Sequence, residues 1–116
     1  QRRQAHAALY DRLLAGAPVK TPRVERGNVS VYHQYTIMAP QRDALQRHLA
    51  DHGIGSAVFY PRPLHLQPCF AYLGHKPGDF PVTERACQEV LSLPIYPELT
   101  DAQIEYVAAT VRSFYP

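Results

Sequence analysis

Apolar residues recur every three or four positions in four segments of the chain, and this spacing is typical of the buried face of an α-helix. The segments are residues 1–15, residues 41–52, residues 82–91 and the segment that follows Thr100. The residues expected to face inward are, in chain order, Ala5, Ala8, Leu9, Leu13, Leu14, Leu45, Leu49, Val82, Ala86, Val90, Ile104, Val107, Ala108 and Val111. We therefore predict four amphipathic helices.

Local signals predict where some of these helices begin and end. Gly16 and Gly53 follow the first two helices, at the position where a helix commonly stops. Thr100 and Gln103 match a capping box, in which each side chain bonds the backbone of the other residue. The first helix has no capping residue in front of it, so we expect its first turns to lie upstream.

Three segments between the helices favour extended strands. Val29–Ala39 is dense in β-branched and aromatic residues, and Ser56–Tyr60 and Ser92–Tyr96 are shorter runs of the same kind. The residues that alternation places on one face of the first strand are Val31, His33, Tyr35 and Ile37. Strands and helices joined by short connections predict a domain of the α+β class.

Composition narrows the class of protein. A chain of 116 residues with 46% hydrophobic residues and a net charge of +2 is typical of one globular domain. Two cysteines, Cys69 and Cys87, do not make a disulfide framework, so we expect packed thiols and a cytoplasmic location. No apolar run reaches the roughly 18 residues of a membrane span, and the basic residues are scattered. Neither a membrane nor a nucleic acid is expected as a partner.

Residues 60–81 form an irregular segment that contains five of the chain's 11 prolines. Proline fixes φ and removes a backbone donor, so this segment is expected to be stiff. A stiff loop can present Tyr60, Arg62, His65 and Gln67 at fixed positions, and long irregular segments often carry function. The alternative is a buried proline-rich crossover whose histidine bonds to the backbone.

Other reactive side chains do not form a recognisable site. His48 and His52 have a spacing that can bind zinc, but no third ligand accompanies them, so we interpret them as a solvated helix face. His65 and Cys69 are close in sequence, yet a thiolate needs a positioned histidine and an oxyanion hole. We therefore expect no metal and interpret the cysteine as a packed residue.

The chain has two lysines, and neither is expected to form a Schiff base. Such a lysine must be desolvated in a shaped pocket so that its pKa falls. Lys20 lies in a proline-rich connection, and Lys76 lies in a Lys-Pro-Gly turn. Both surroundings predict a solvated ammonium group.

Several sequence blocks together resemble the C-terminal region of the DegT/StrS-type aminotransferases. In chain order the blocks are Y-H-Q-Y-T-I (32–37), R-D-A-L (42–45), H-G-I-G-S-A-V (52–58), Y-P-R-P-L-H-L-Q (60–67), L-G-H-K-P-G-D-F-P (73–81), E-R-A-C-Q-E-V-L-S-L-P (84–94) and Y-P-E-L-T (96–100). They cover nearly the whole chain and occur in one order, which makes the resemblance specific.

The resemblance implies a division of labour between domains. Members of this family use pyridoxal 5'-phosphate (PLP) to transfer an amino group from an amino-acid donor, typically glutamate, to a nucleotide-linked keto sugar, and they act as homodimers. A large N-terminal domain carries PLP, its lysine and the aspartate that pairs with the pyridinium nitrogen. None of those motifs occurs in this chain. We therefore expect residues 1–116 to be one small C-terminal domain, in which a truncated linker helix of about residues 1–15 precedes a short, mostly antiparallel sheet flanked by helices.

The resemblance also implies roles for individual residues. The histidine of the Y-P-x-P-x-H block, which is His65, would point toward the nucleotide-sugar substrate. Tyr60, Arg62 and Gln67 on the same loop are secondary candidates for substrate binding. Some members have tyrosine where this chain has Leu66, so the contact of that hydroxyl group is lost. No catalytic or cofactor-binding residue is expected in this chain, which alone would be inactive and bind no PLP.

Two other functions compete with this interpretation. The first is a standalone, non-catalytic binding or regulatory module of the same fold. The second is a small hydrolase that uses His65 together with Asp79 or Cys69.

Overall fold

The computed structural model describes all 116 residues and has four α-helices, two β-strands and two short 3-10 helices. In chain order these are α1 (Arg2–Leu13), β1 (Tyr35–Met38), α2 (Arg42–Asp51), the 3-10 helices Leu64–Leu66 and Pro68–Leu73, α3 (Pro81–Glu89), β2 (Val90–Leu93) and α4 (Asp101–Phe114). None of these helices combines the length and the apolar character that crossing a membrane would need.

The two strands form an antiparallel sheet, which confirms the α+β class. Tyr35 lies opposite Leu93, and Met38 lies opposite Val90. Single bridges from Lys20 and Ala57 add one backbone pair at each edge. The segment Ser56–Tyr60 therefore contributes one bridge rather than the predicted strand.

The core lies between the sheet and α1, α2 and α4. It contains 17 buried apolar residues: Ala7, Tyr10, Leu14, Tyr35, Ile37, Ala39, Leu45, Leu49, Ile54, Leu91, Leu93, Ile95, Leu99, Ile104, Val107, Ala108 and Val111. The rings of Tyr10 and Tyr35 stack with centroids 4.8 Å apart. Their hydroxyl groups donate to the Pro94 carbonyl at 2.9 Å and to the Asp11 carboxylate at 2.6 Å. Burial raises the pKa of both phenols, so both remain neutral donors.

Helices α2 and α4 bury the predicted residues. Leu45 and Leu49 of α2 have no exposed surface, and all four predicted positions of α4 are buried. The capping box is present, because the Thr100 N–H donates to Gln103 Oε1 at 2.9 Å and the Gln103 N–H donates to Thr100 Oγ1 at 3.3 Å. Local signals therefore predict these two helices correctly.

The prediction for helix α1 is confirmed in part, because Leu14 just after the helix is buried and Leu9 and Leu13 pack against the core. Its buried side chains are His6, Ala7 and Tyr10, while Ala5 and Ala8 are exposed. The reason is that the stacked, hydrogen-bonded Tyr10 outweighs alanine in apolar contact area, and counting only aliphatic positions misses it.

The first strand is shorter than Val29–Ala39, because its N-terminal half packs against α1 instead of pairing with a strand. Tyr32 has a φ of +47°, which breaks the extended run. The Arg3 guanidinium donates to the carbonyls of Tyr32 and His33, and Gln4 donates to the carbonyl of Ser30. The apolar side chains predicted on that half, such as Val31, are exposed.

Helix α3 is shorter than predicted, and the predicted stripe is not buried. The helix ends at Glu89, and the next four residues form β2, with Leu91 fully buried in the sheet. No residue of α3 is buried, and Val82 is 83% exposed. The residues do form a helix, but no other part of this chain buries its apolar stripe.

Candidate functional site

His65 lies in the first 3-10 helix, where the stiff proline-rich loop turns between Pro63 and Gln67. Its side chain is only 8% exposed, and its Nε2 atom lies 2.9 Å from Glu84 Oε1. The Phe80 ring packs edge-on against the imidazole with centroids 4.8 Å apart. The orientation of His65 is therefore set by a side-chain hydrogen bond and an aromatic contact, rather than by a backbone bond in a buried crossover.

Glu84 holds more than the histidine. Its carboxylate also accepts the backbone N–H of Gly78 at 2.9 Å and that of Phe80 at 3.3 Å. The Gly78 N–H, followed by His65 and the Phe80 N–H, lowers the pKa of the Glu84 carboxyl below its ordinary value, against the opposing effect of burial. Glu84 is therefore an anion at neutral pH.

Glu84 was not among the residues predicted from the sequence. A glutamate in the first turn of a helix that starts with proline often bonds the backbone just before the helix. That signal could have indicated its contact with Phe80, but the contact with His65, 19 residues away, depends on how the loop folds.

The structure brings the other three predicted residues together. Tyr60, Arg62 and Gln67 line one cavity of about 370 Å³. The remaining lining residues are Pro61, Pro63, Leu64, Thr83 and Cys87. His65 does not line this cavity, since its ring lies with Glu84 and Phe80.

The cavity combines a largely apolar wall with a few polar groups. Arg62 is exposed, and none of the chain's five ion pairs involves it. An arginine without an ion-pair partner can bind a phosphate or carboxylate through two parallel hydrogen bonds. The cavity therefore suits an anionic ligand with an apolar or planar portion.

The alternative constellations do not form reactive sites. His52 Nδ1 bonds the His48 carbonyl at 2.8 Å, and no group of three or more metal-ligating side chains is present. Cys69 is exposed, so the prediction that it is a packed thiol is wrong, and the imidazole of His65 bonds Glu84 instead. Asp79 pairs with a different histidine and with a lysine, so the proposed hydrolase dyads with His65 are absent.

Neither lysine fits a site for PLP. The Lys76 ammonium group is 79% exposed and lies 3.0 Å from Asp79 Oδ1. Lys20 is also exposed, and its backbone pairs with that of Met38. Because a Schiff base requires a desolvated amine, no residue of this chain is suited to hold that cofactor covalently.

Comparison with protein families and with known relatives agrees with this fold. The model of the DegT/DnrJ/EryC1/StrS aminotransferase family matches residues 1–112. A "pleiotropic regulatory protein" of Geobacillus stearothermophilus is 50% identical over 99% of the chain, which spans 32% of that relative. The UDP-2-acetamido-2-deoxy-3-oxo-D-glucuronate aminotransferase of Pseudomonas aeruginosa is 38% identical over 96% of the chain, which spans 30% of that enzyme.

A solved structure has the same fold. The crystal structure of DesV from S. venezuelae, in complex with a ketimine intermediate, matches 97% of the chain with a TM-score of 0.93 and 38% identity. The chain spans 31% of that structure. It therefore corresponds in length to about a third of its relatives, and it belongs to the DegT/DnrJ/EryC1/StrS aminotransferase family.

Proposed function

We propose that this chain is the small C-terminal domain of a PLP-dependent aminotransferase that acts on a nucleotide-linked keto sugar with an amino-acid donor such as glutamate. The observation that carries the proposal is the similarity over nearly the whole chain to a UDP-2-acetamido-2-deoxy-3-oxo-D-glucuronate aminotransferase, which agrees with the TM-score of 0.93 to the DesV structure. In this proposal PLP, which supplies the electron sink for amino transfer, is held by residues outside these 116.

Within that enzyme, we propose that the loop of residues 60–67 binds the nucleotide sugar. Arg62 would bind the phosphate groups, while Tyr60 and Gln67 line the same cavity and contact neighbouring parts of the substrate. His65, which lies outside that cavity, would contact the sugar from a fixed position beside it. The domain would also exclude water from one side of the cleft, which strengthens these polar contacts.

The assembly and location follow the same proposal. We infer that the full enzyme is a homodimer, as the family resemblance implies. A cytoplasmic location agrees with the two free cysteines, Cys69 and Cys87.

A substitution of His65 in the complete aminotransferase tests the proposed role. We expect His65→Ala to raise the KM for the nucleotide sugar or to lower kcat, with PLP still bound. His52→Ala is the matched control, because His52 is exposed at the end of α2 and bonds only its own helix through its ring. Loss of PLP in the His65 variant would contradict the proposal by giving His65 a different role.

The cofactor assignment has a separate test on the chain itself. Addition of PLP followed by borohydride should give no specific pyridoxyl adduct, since both lysines are solvated. A stoichiometric adduct at Lys20 or Lys76, located by peptide mass spectrometry, would overturn the assignment of PLP to residues outside this chain.

A second candidate function is a standalone, non-catalytic binding or regulatory module. The name "pleiotropic regulatory protein" of the relative with 50% identity favours the regulatory part of this function, while the length of that relative, about three times that of this chain, does not favour a standalone module. The genomic sequence upstream of Gln1 separates the two functions. An open frame that encodes a large α/β domain with a cofactor lysine supports the aminotransferase, while a start codon a few residues upstream supports the module.

A further inference from the structure

We propose that Glu84 is a positioning residue, which holds His65 in one tautomer and one ring orientation and so leaves Nδ1 as a hydrogen-bond acceptor for the substrate. This inference rests on the proposed function, because it concerns how the loop of residues 60–67 binds a nucleotide sugar. Its structural part concerns only Glu84 and His65 and can be tested in the chain alone.

The contact between the two side chains is short and largely shielded from water. Glu84 Oε1 lies 2.9 Å from His65 Nε2, and the two side chains are 19% and 8% exposed. An ionised carboxylate accepts hydrogen bonds and cannot donate one. The proton of a neutral His65 ring must therefore be on Nε2.

The tautomer determines what the other ring nitrogen can do. When Nε2 carries the proton, Nδ1 has a free lone pair and accepts a hydrogen bond. The hydrogen bond of the His65 ring is made through Nε2, and no side chain or backbone group of the chain bonds Nδ1. The ligand group that matches this atom is a donor, such as a sugar hydroxyl.

The same carboxylate links the histidine to the loop that precedes α3. It accepts the N–H groups of Gly78 and Phe80, and the Phe80 ring packs against His65. The carboxylate therefore bonds the imidazole at Nε2, and the Phe80 ring packs against the same imidazole. The carboxylate also bonds the backbone of Phe80. Glu84 thus contacts the histidine directly and also holds the backbone of Phe80, whose ring packs against the histidine.

The first experiment measures the tautomer in this chain. Long-range ¹H–¹⁵N NMR at pH 8 should show one His65 tautomer with the proton on Nε2, with the signal assigned by its loss in His65→Gln. In Glu84→Gln the amide can accept from or donate to the ring, so we expect a mixture of both tautomers while the backbone amide spectrum shows that the fold is retained. Glu89→Gln is the matched control on the same helix, since Glu89 pairs with the exposed Arg85, and it should leave the tautomer unchanged.

Two results would overturn the structural part. One is a mixture of tautomers in the wild-type chain. The other is a single Nε2–H tautomer that persists in Glu84→Gln, which would mean that another group holds the ring.

The second experiment measures kinetics in the complete aminotransferase. We expect Glu84→Gln to lower kcat/KM for the nucleotide sugar about tenfold, which is the scale of one hydrogen bond, and to leave the KM for the amino-acid donor unchanged. In the His65→Ala background, Glu84→Gln should cause no further loss, because its effect passes through the histidine. A wild-type enzyme without transaminase activity would refute the proposed function and leave the NMR result standing. Equal losses in both backgrounds, or no loss at all, would refute the positioning role.

Discussion

Two regions of the chain differ sharply in how they are held together. The core region consists of α1, α2, α4, the sheet and the segments next to these elements. It contains all 17 residues of the apolar core. The loop region, defined as residues 59–89, has one buried residue, Pro63. It also carries seven of the chain's twelve exposed large hydrophobic residues: Phe59, Tyr60, Leu64, Tyr72, Leu73, Phe80 and Val82.

The loop region is stabilised by polar contacts where the core region is stabilised by apolar burial. Glu84 collects three donors, Asp79 pairs with Lys76, and Arg42 of α2 reaches the last turn of α3. Apolar burial dominates folding stability, while exposed polar contacts contribute little each. We infer that the core region determines stability and that the loop region, which contains the candidate site, is free to vary in its surface chemistry.

The largest expected effect comes from truncating the same residue type in the two regions. Leu49 has no exposed surface, while Leu64 is 70% exposed. Leu49→Ala should lower the free energy of unfolding by about 2–5 kcal/mol, because it removes buried apolar contacts and leaves a cavity. Leu64→Ala should change it by no more than about 0.5 kcal/mol. Urea unfolding followed by circular dichroism measures both, and similar losses in the two variants would contradict the division into regions.

An intermediate effect is expected where the two regions meet. The Arg42 guanidinium, on a residue that is 8% exposed, donates to the Val90 carbonyl at 2.8 Å and to the Cys87 carbonyl at 3.1 Å. Arg42→Met should lower the free energy of unfolding by about 1–3 kcal/mol, because it leaves two partly buried carbonyl groups without this donor. Amide hydrogen exchange should also become faster at the end of α3.

Arg47→Met is the matched control for that prediction. Arg47 lies on the same helix and is exposed, so its loss should leave both the unfolding free energy and the exchange rates close to those of the wild type. An Arg42 variant as stable as the Arg47 variant would show that the contact does not hold α3 in place.

The same division explains how much of the fold could be predicted. Helices α2 and α4 were predicted well because their signals are local: Leu45 and Leu49 on one face, and the capping box at Thr100. The inward face of α1 depends on the stacking of Tyr10 with a residue 25 positions away, which no local pattern encodes. Val82 follows a helical pattern yet stays exposed, because periodicity predicts which face is apolar and not what covers it.

The candidate site could be predicted in part for a related reason. The prolines predict a stiff loop, and three of its residues, Tyr60, Arg62 and Gln67, line one cavity. The separation of His65 from that cavity follows from its bond to Glu84, which is a contact between the loop and α3. Contacts of this kind depend on the tertiary fold, so the contact between Glu84 and His65 could be found only in the structure.

The smallest expected effect is a dependence of loop-region stability on pH. The backbone N–H and ammonium group of Lys76 lower the pKa of the Asp79 carboxyl, and the Gly78 N–H is the main cause of the lowered pKa of Glu84. A carboxyl group whose pKa is lower in the folded state stabilises the fold above its unfolded pKa, which is about 4 for these residues, and this contribution is lost as the pH falls through the folded value.

The double variant Asp79→Asn, Glu84→Gln should therefore be less stable than the wild type at pH 7, and the difference should shrink toward pH 3. Urea unfolding at both pH values measures this, with Glu89→Gln as the control for loss of a carboxylate on α3 that lies outside this network. A difference that stays constant or grows on acidification would show that these carboxylates do not hold the loop region through their charge.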